Sequence, residues 1–202
     1  MALITRQHPM ESTLIYRLWQ APFAERKLRP FLAAHRVGDF RRVLDVGCGP
    51  GTNARHFAAT DYLGVDINPD YISYAIRRYG SRFRVADVTT MSMEYGHGFD
   101  CILVNSLLHH LSDSEVTRLL SHLRLLLTPN GSIHILDLVL PAQGGIARFL
   151  ARHDRGKYPR QLVDWERIFC RHFAPVRFQP YAVGCFGRTL WQMVYFEGKV
   201  AE

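Results

Sequence analysis

The 202-residue sequence has no long apolar run. None approaches the ~18 residues that a membrane-spanning helix needs, so no membrane span is expected. The opening residues, MALITRQHPMEST, have no apolar core and no small-residue cleavage site, so no signal peptide is expected. Cysteine is scarce. Cys48, Cys101, Cys170 and Cys185 show no CxxC spacing and are scattered through apolar segments. That pattern argues against a disulfide framework or a zinc ribbon and predicts reduced thiols in a cytoplasmic protein. Internal repeats and low-complexity segments are also missing, which excludes solenoids and linker-like tracts.

What is there is an ordinary globular balance, 48% hydrophobic and 21% charged residues, in a chain long enough for a sizeable core. The net charge of +7 is uneven. Residues 1–42 carry +5, residues 43–145 carry −3, residues 146–188 carry +6 and the remainder −1. Basic flanks suit an acidic substrate or a nucleic acid. Dispersed arginines are more often solvated helix faces, and that reading is preferred.

Short apolar runs alternate with helical patterns through the middle of the chain, which predicts an α/β domain with a parallel sheet. RRVLDVG, YLGVDI, RFRVAD, FDCILVN and SIHILDLVL read as five strands. TNARHFAA, DYISYAIRRY and SDSEVTRLLSHLRLLL read as the helices between them, the second started by Asp70 and the third by a Ser112–Glu115 capping box. TPNG is expected to break the chain before the fifth strand. STLIYRLWQ and PFAERKLRPFLAAH precede the sheet as helices. A helical stretch interrupted at HDRGKYPR and resumed at QLVDWERIFCRHF follows it. PVRFQPYAV and TLWQMVYFEG, joined by GCFGR, read as a closing hairpin.

The chemistry starts at Gly47-Cys48-Gly49-Pro50-Gly51-Thr52. The dinucleotide fingerprint G-x-G-x-x-G needs a glycine where Thr52 stands, and a P-loop needs Gly-Lys-Ser/Thr; neither is present. Asp45, two residues before the loop, would repel a pyrophosphate and suits an amine or a sulfonium. Asp66 ends the second strand, where an acid holds ribose hydroxyls in doubly wound folds and excludes a phosphate. Asp87 ends the third strand, where a carboxylate can accept from an adenine amine. Three acids at three consecutive strand ends imply a nucleoside with cationic character and no phosphate.

The run VLDVGCGPG…GVDINPD…ADV…FDCILVNSLLHHL…LLTPNGSIHILD, over about residues 40–140, resembles the class I S-adenosylmethionine-dependent methyltransferases. The resemblance implies a Rossmann-like seven-stranded sheet in the order 3-2-1-4-5-7-6, strand 7 antiparallel, with helices on both faces. It implies one domain over 1–202: a helical lid (1–40), a cofactor-binding core (41–140), and substrate-side helices with the terminal hairpin (141–202). S-adenosylmethionine is then the expected cofactor and S-adenosylhomocysteine the product. Asp45, Gly47, Gly49 and Gly51 would surround its methionine part. Asp66 would hold the ribose and Ile67 would pack on adenine. Asp87 and Val88 would face the adenine edge, and Asn105 would meet the methionine or ribose side through its backbone.

Methyl transfer from a sulfonium is an in-line displacement, so the protein mainly aligns the acceptor and excludes water. His109 and His110 are the base candidates, with Asp137 a weaker one; histidine has a pKa suited to the task. No acidic cluster of the metal-dependent O-methyltransferase kind is visible, so no metal is expected. Tyr16 and Trp19, with Phe23, are candidates for a lid, and His153, Arg155, Tyr158 and Arg160 for an acceptor pocket; arginines there can pair with an acceptor carboxylate or phosphate. The expected acceptor is a small metabolite, an acidic one among the options, methylated on O, N or C. The alternatives are a nucleic-acid (RNA) methyltransferase, although NSLL replaces the base-methylating N-P-P-Y at the fourth strand, and a non-methylating cofactor binder. The oligomeric state is left open.

Overall fold

A computed structural model describes residues 21–80, 82–89, 98–154, 156–185 and 187–200. In chain order the elements are α1 (Ala21–Ala34), β1 (Arg42–Val46), β2 (Asp61–Asp66), α2 (Pro69–Tyr79), β3 (Phe83–Val85), β4 (Phe99–Asn105), α3 (Asp113–Leu126), β5 (Leu127–Val139), α4 (Ile146–His153), α5 (Leu162–His172), β6 (Ala174–Cys185) and β7 (Arg188–Lys199). Short 3₁₀ turns lie at Val37–Asp39, Thr52–Phe57 and Leu108–His110.

The seven strands form one sheet in the order β3-β2-β1-β4-β5-β7-β6. β1 to β5 pair in parallel, and β7 runs antiparallel between β5 and β6. The order reverses between β1 and β4, and in such a sheet the ligand crevice lies outside the carboxyl ends of those strands. Apolar side chains alternate across the sheet. Leu44, Val46, Ile102, Val104, Ile133 and Ile135 face α3 and α5. Val43, Cys101, Leu103 and Leu136 share the opposite cluster with Leu28 and Phe31 of α1 and Ile72 and Ala75 of α2. A strand covered on both faces reads as a continuous apolar run, which is why FDCILVN is so apolar. No helix of the described residues is long and apolar enough to cross a membrane.

Three local expectations change. Residues 52–57 form a 3₁₀ turn rather than an α-helix, entered through left-handed Gly51; its tighter pitch turns Asn53, Ala54 and Phe57 inward together. α2 is capped by Asn68 rather than started by Asp70: the Asn68 side chain accepts from the N–H groups of Asp70 (2.9 Å) and Tyr71 (3.3 Å), and Pro69 takes the first helical position. TPNG does not break the chain but lies within β5, as a register irregularity: Phe99 pairs with Leu127 and Cys101 already with Ser132. The capping box of α3 is present, with Glu115 accepting from the Ser112 N–H at 2.8 Å.

Candidate active site

The glycine loop leaves β1 with Gly47, Gly49 and Gly51 at φ of +70°, +55° and +77°. These left-handed conformations favour glycine. Space demands it as well. A Cβ at Gly51 would stand 2.8 Å from the Phe83 ring and 3.0 Å from Ala75, so this glycine lets α2 and β3 close onto the loop. The N–H groups of Gly47 and Cys48 both donate to the Val65 carbonyl, at 2.8 and 3.0 Å, tying the loop to β2.

Asp45 is fully buried under the loop. Its Oδ2 accepts from the Tyr62 hydroxyl (2.7 Å) and the Asn53 amide (3.1 Å), while its Oδ1 has no hydrogen-bond partner. Burial pushes its carboxyl up to about 6, against the two hydrogen bonds that lower it. Asp66 accepts from the N–H of Gly49 (2.8 Å) and of Asn68 (2.9 Å), and burial raises its carboxyl too. Asp66 therefore holds the middle of the glycine loop against the end of β2. The following Ile67 is 66% exposed, an apolar side chain presented to the crevice edge. Asp87 closes an Asx turn, accepting from the N–H (2.9 Å) and hydroxyl (2.7 Å) of Thr89. Val88 is buried. The Ala86 N–H donates to the Asp66 carbonyl at 2.9 Å, so the ends of β2 and β3 sit side by side. Asn105 ends β4 and is followed by Ser106 at φ +57°, a left-handed conformation that is uncommon outside glycine.

The paired histidines differ in burial, although their ring centroids stand 4.3 Å apart. His110 is exposed. His109 is buried, and its Nδ1 donates to Asp137 Oδ1 at 2.6 Å, while its Nε2 lies 3.6 Å from Asp154 Oδ1. Burial alone would lower this imidazole; the two carboxylates outweigh it and push it up to about 9. Asp137, also buried, accepts from the N–H groups of Leu108 (2.7 Å) and Leu138 (2.6 Å), and the His109 charge keeps it below its ordinary range.

Of the residues expected to line an acceptor pocket, Tyr16, Trp19 and Arg155 lie outside the described residues. Phe23 packs edge-on against Trp191, with ring centroids 4.8 Å apart. His153 is exposed, stacked on Phe149 and bonded to its carbonyl. Tyr158 is 43% exposed, and its N–H donates to the His109 carbonyl at 3.0 Å. Arg160 is not open to an acceptor. It is buried, donating to the carbonyls of Leu108, Tyr158 and Leu111 and to the Asp113 carboxylate, with its guanidinium 4.8 Å from the Trp165 ring. An arginine in a loop reads as available from sequence; here its fork pins residues 156–160 to the turn after β4.

Two residues at this edge belong to no sequence motif. Asp154 is brought to His109 only by the fold. Lys27 of α1 is buried, its ammonium 3.4 Å from the Ser106 hydroxyl and 5.8 Å from the Trp191 ring, while the Tyr181 hydroxyl donates to its carbonyl at 2.6 Å. The signal was present in the helix phase, since Lys27 adjoins Leu28 and stands one turn from Phe31 on the inward face.

Residues 43–131 match the family described as a methyltransferase domain. A curated relative, phosphoethanolamine N-methyltransferase 1 of Triticum aestivum, is 35% identical over 141 residues, covering 61% of this chain and 28% of its own length. The chain spans less than two thirds of the length of the curated relatives it matches, from 28% to 62%. Among solved structures, a SAM-dependent methyltransferase of Methanosarcina mazei superposes with a TM-score of 0.69 at 18% identity, over 86% of this chain and 98% of that one. Human N-acetylserotonin methyltransferase, solved in complex with SAM, gives 0.69 at 17% identity, over 96% of this chain and 61% of that one. The glycine loop and all three strand-end acids lie inside the matched span, so residues 43–131 carry a methyltransferase domain, and the 3-2-1-4-5-7-6 sheet has the fold of the S-adenosylmethionine-dependent methyltransferases it superposes on.

Proposed function

We propose that the chain catalyses transfer of a methyl group from S-adenosylmethionine to an O, N or C atom of a small metabolite, with S-adenosylhomocysteine as the other product. The observation that carries this reading is the buried Asp45, whose Oδ1 has no partner beneath a loop that no phosphate would approach. An orphaned carboxylate oxygen is costly unless a ligand or ordered water answers it, and a cationic amino-acid end is chemistry that fits. Asp66 accepts from the N–H groups of Gly49, Asn68 and Ile67, and a carboxylate offers about four acceptor positions, so capacity for a ribose hydroxyl remains. Exposed Ile67 offers an apolar face for a base, with Asp87 and Val88 at its edge and Asn105 on the methionine side.

When bound, S-adenosylmethionine supplies the electrophilic methyl group. The chain's own residues orient and shield. Asp66 and the Val65 carbonyl hold the glycine loop in its left-handed path. His109, protonated at neutral pH, serves as a positioning residue between Asp137 and Asp154, so His110 is the imidazole left facing the open side. The wheat relative, named for a small phosphorylated amine, supports a small-molecule acceptor.

Calorimetry tests the cofactor half directly. The protein should bind S-adenosylmethionine at micromolar levels, and Asp66→Ala should weaken binding by about 100-fold or more, the scale of losing charge-assisted hydrogen bonds together with the loop anchor. Absence of binding by the unsubstituted chain overturns the proposal. A labelled-methyl screen against a metabolite panel then identifies the acceptor.

A further inference from the structure

We propose that His109, His110 and Asp154 form a binding site for a divalent transition-metal cation, Zn²⁺ foremost, at the acceptor edge of the crevice. The site stands on geometry; its purpose, holding an acceptor oxygen beside the methyl donor, rests on the function proposed above.

Each of the three residues offers one ligand atom, and the three atoms lie within 4.8 Å of one another. His109 Nε2 and Asp154 Oδ1 are 3.6 Å apart. That is too long for an N–H···O hydrogen bond, which spans about 2.7–3.2 Å. It is near the ligand-to-ligand edge of about 3.4 Å that bonds of about 2.0–2.1 Å make around a tetrahedral ion.

The far side of His109 supports the same assignment. Metal-bound histidines characteristically donate their other ring N–H to a carboxylate, which sets the tautomer and aims the ligating nitrogen. Asp137 stands in that place, 2.6 Å from Nδ1, and is itself fixed by the N–H groups of Leu108 and Leu138. His109 Nε2 is thereby turned toward Asp154. Without a cation, a proton on that nitrogen fills the same place; binding returns it to solvent.

His110 is exposed and the Asp154 side chain keeps 14% of its surface, which gives an ion a way in and leaves room for water or an acceptor oxygen as a further ligand. Two imidazoles and one carboxylate suit Zn²⁺, Co²⁺ or Fe²⁺, whereas Mg²⁺ and Ca²⁺ prefer all-oxygen sets. A hydroxyl or carboxylate of the acceptor completing the coordination would lose its proton to solvent more readily and would be held in line for attack. No sequence motif announces this cluster, because Asp154 lies more than forty residues from the histidines and is delivered by the chain following α4.

The metal-stripped chain should be titrated with Zn²⁺ by calorimetry and with Co²⁺ by visible absorption. One equivalent should bind at micromolar concentration, with the intense visible bands of four-coordinate Co²⁺. Asp154→Asn and His110→Ala should each weaken binding at least 10-fold while the metal-free melting temperature stays within a few degrees. Among the described residues a second group, His35, His134 and Glu197, also brings three ligand types together; His35→Gln should leave the equivalent in place. Absence of saturable binding below about 100 µM overturns the site, as does an equivalent that survives both Asp154→Asn and His110→Ala. S-adenosylmethionine titrated into the same variants should bind as to the parent chain; loss of cofactor binding in the parent alone would strike the proposed function and leave the metal site standing.

Discussion

Asp45 shows how a single side chain sets stability against binding. The unfolded chain ionises this carboxyl near 3.8, and the folded chain only near 6, because burial disfavours the charge. Between those values the folded state binds more protons than the unfolded one, so stability falls as pH rises from about 4 to 6. At about 1.4 kcal/mol per pH unit, the ionised Asp45 costs the cofactor-free fold about 3 kcal/mol at neutral pH. Asp45→Asn keeps an oxygen for Tyr62 and Asn53 and removes the charge. Urea denaturation should find the variant more stable at pH 7, by up to about 3 kcal/mol, with the pH 4–6 slope flattened. Its affinity for S-adenosylmethionine should fall. A variant less stable than the parent at pH 7 would mean that the charge is already answered in the cofactor-free protein. The acid itself was legible from its place before the glycines. Its unpaired oxygen was not, because that depends on Tyr62, seventeen residues away, bonding only one side of the carboxylate.

At the scale of elements, the strands and the capping box of α3 were readable because periodicity and local hydrogen bonding decide them. Residues 156–160 were not. They have no periodic signal, and distant carbonyls determine their course. The Arg160 fork reaches Leu108, Leu111 and Asp113, the Leu140 N–H donates to the Arg160 carbonyl at 2.7 Å, and Gly156 lies so close to His109 that an added Cβ would stand 2.0 Å from its ring. Lysine cannot reproduce a planar fork with five donors. Arg160→Lys should therefore loosen this segment without disturbing the glycine loop on the other side of the switch point. Hydrogen exchange at the amides of Tyr158 and Leu140 should quicken at least 10-fold, and acceptor KM should rise. Cofactor affinity should stay within about twofold. Unchanged exchange at both amides would show that Val139 pairing with Arg160 holds the segment unaided.

Across the whole molecule, the parallel core and closing hairpin were foreseeable from the strand pattern and the sheet order only through the family resemblance, while the meaning of the basic flanks was not. Sequence counts charge, but the fold decides which charges are spent. Arg42 faces Asp61, Arg55 faces Glu25, Arg160 faces Asp113, Arg167 faces Asp164 and Arg177 faces Glu197. α4 and α5 each end on basic residues, Arg152–His153 and Arg171–His172, where the helix dipole favours positive charge. Charges paired singly and distributed over helix ends make a poor track for a phosphate backbone, which needs several cations along one path. If that holds, a labelled single-stranded RNA should bind weakly at physiological salt. Any residual affinity should change little with ionic strength, because each neutralised phosphate contributes only about −0.7 to the slope of log K against log salt. A slope steeper than about −3 would instead mean several phosphates held at once, and the acceptor would then have to be sought among nucleic acids.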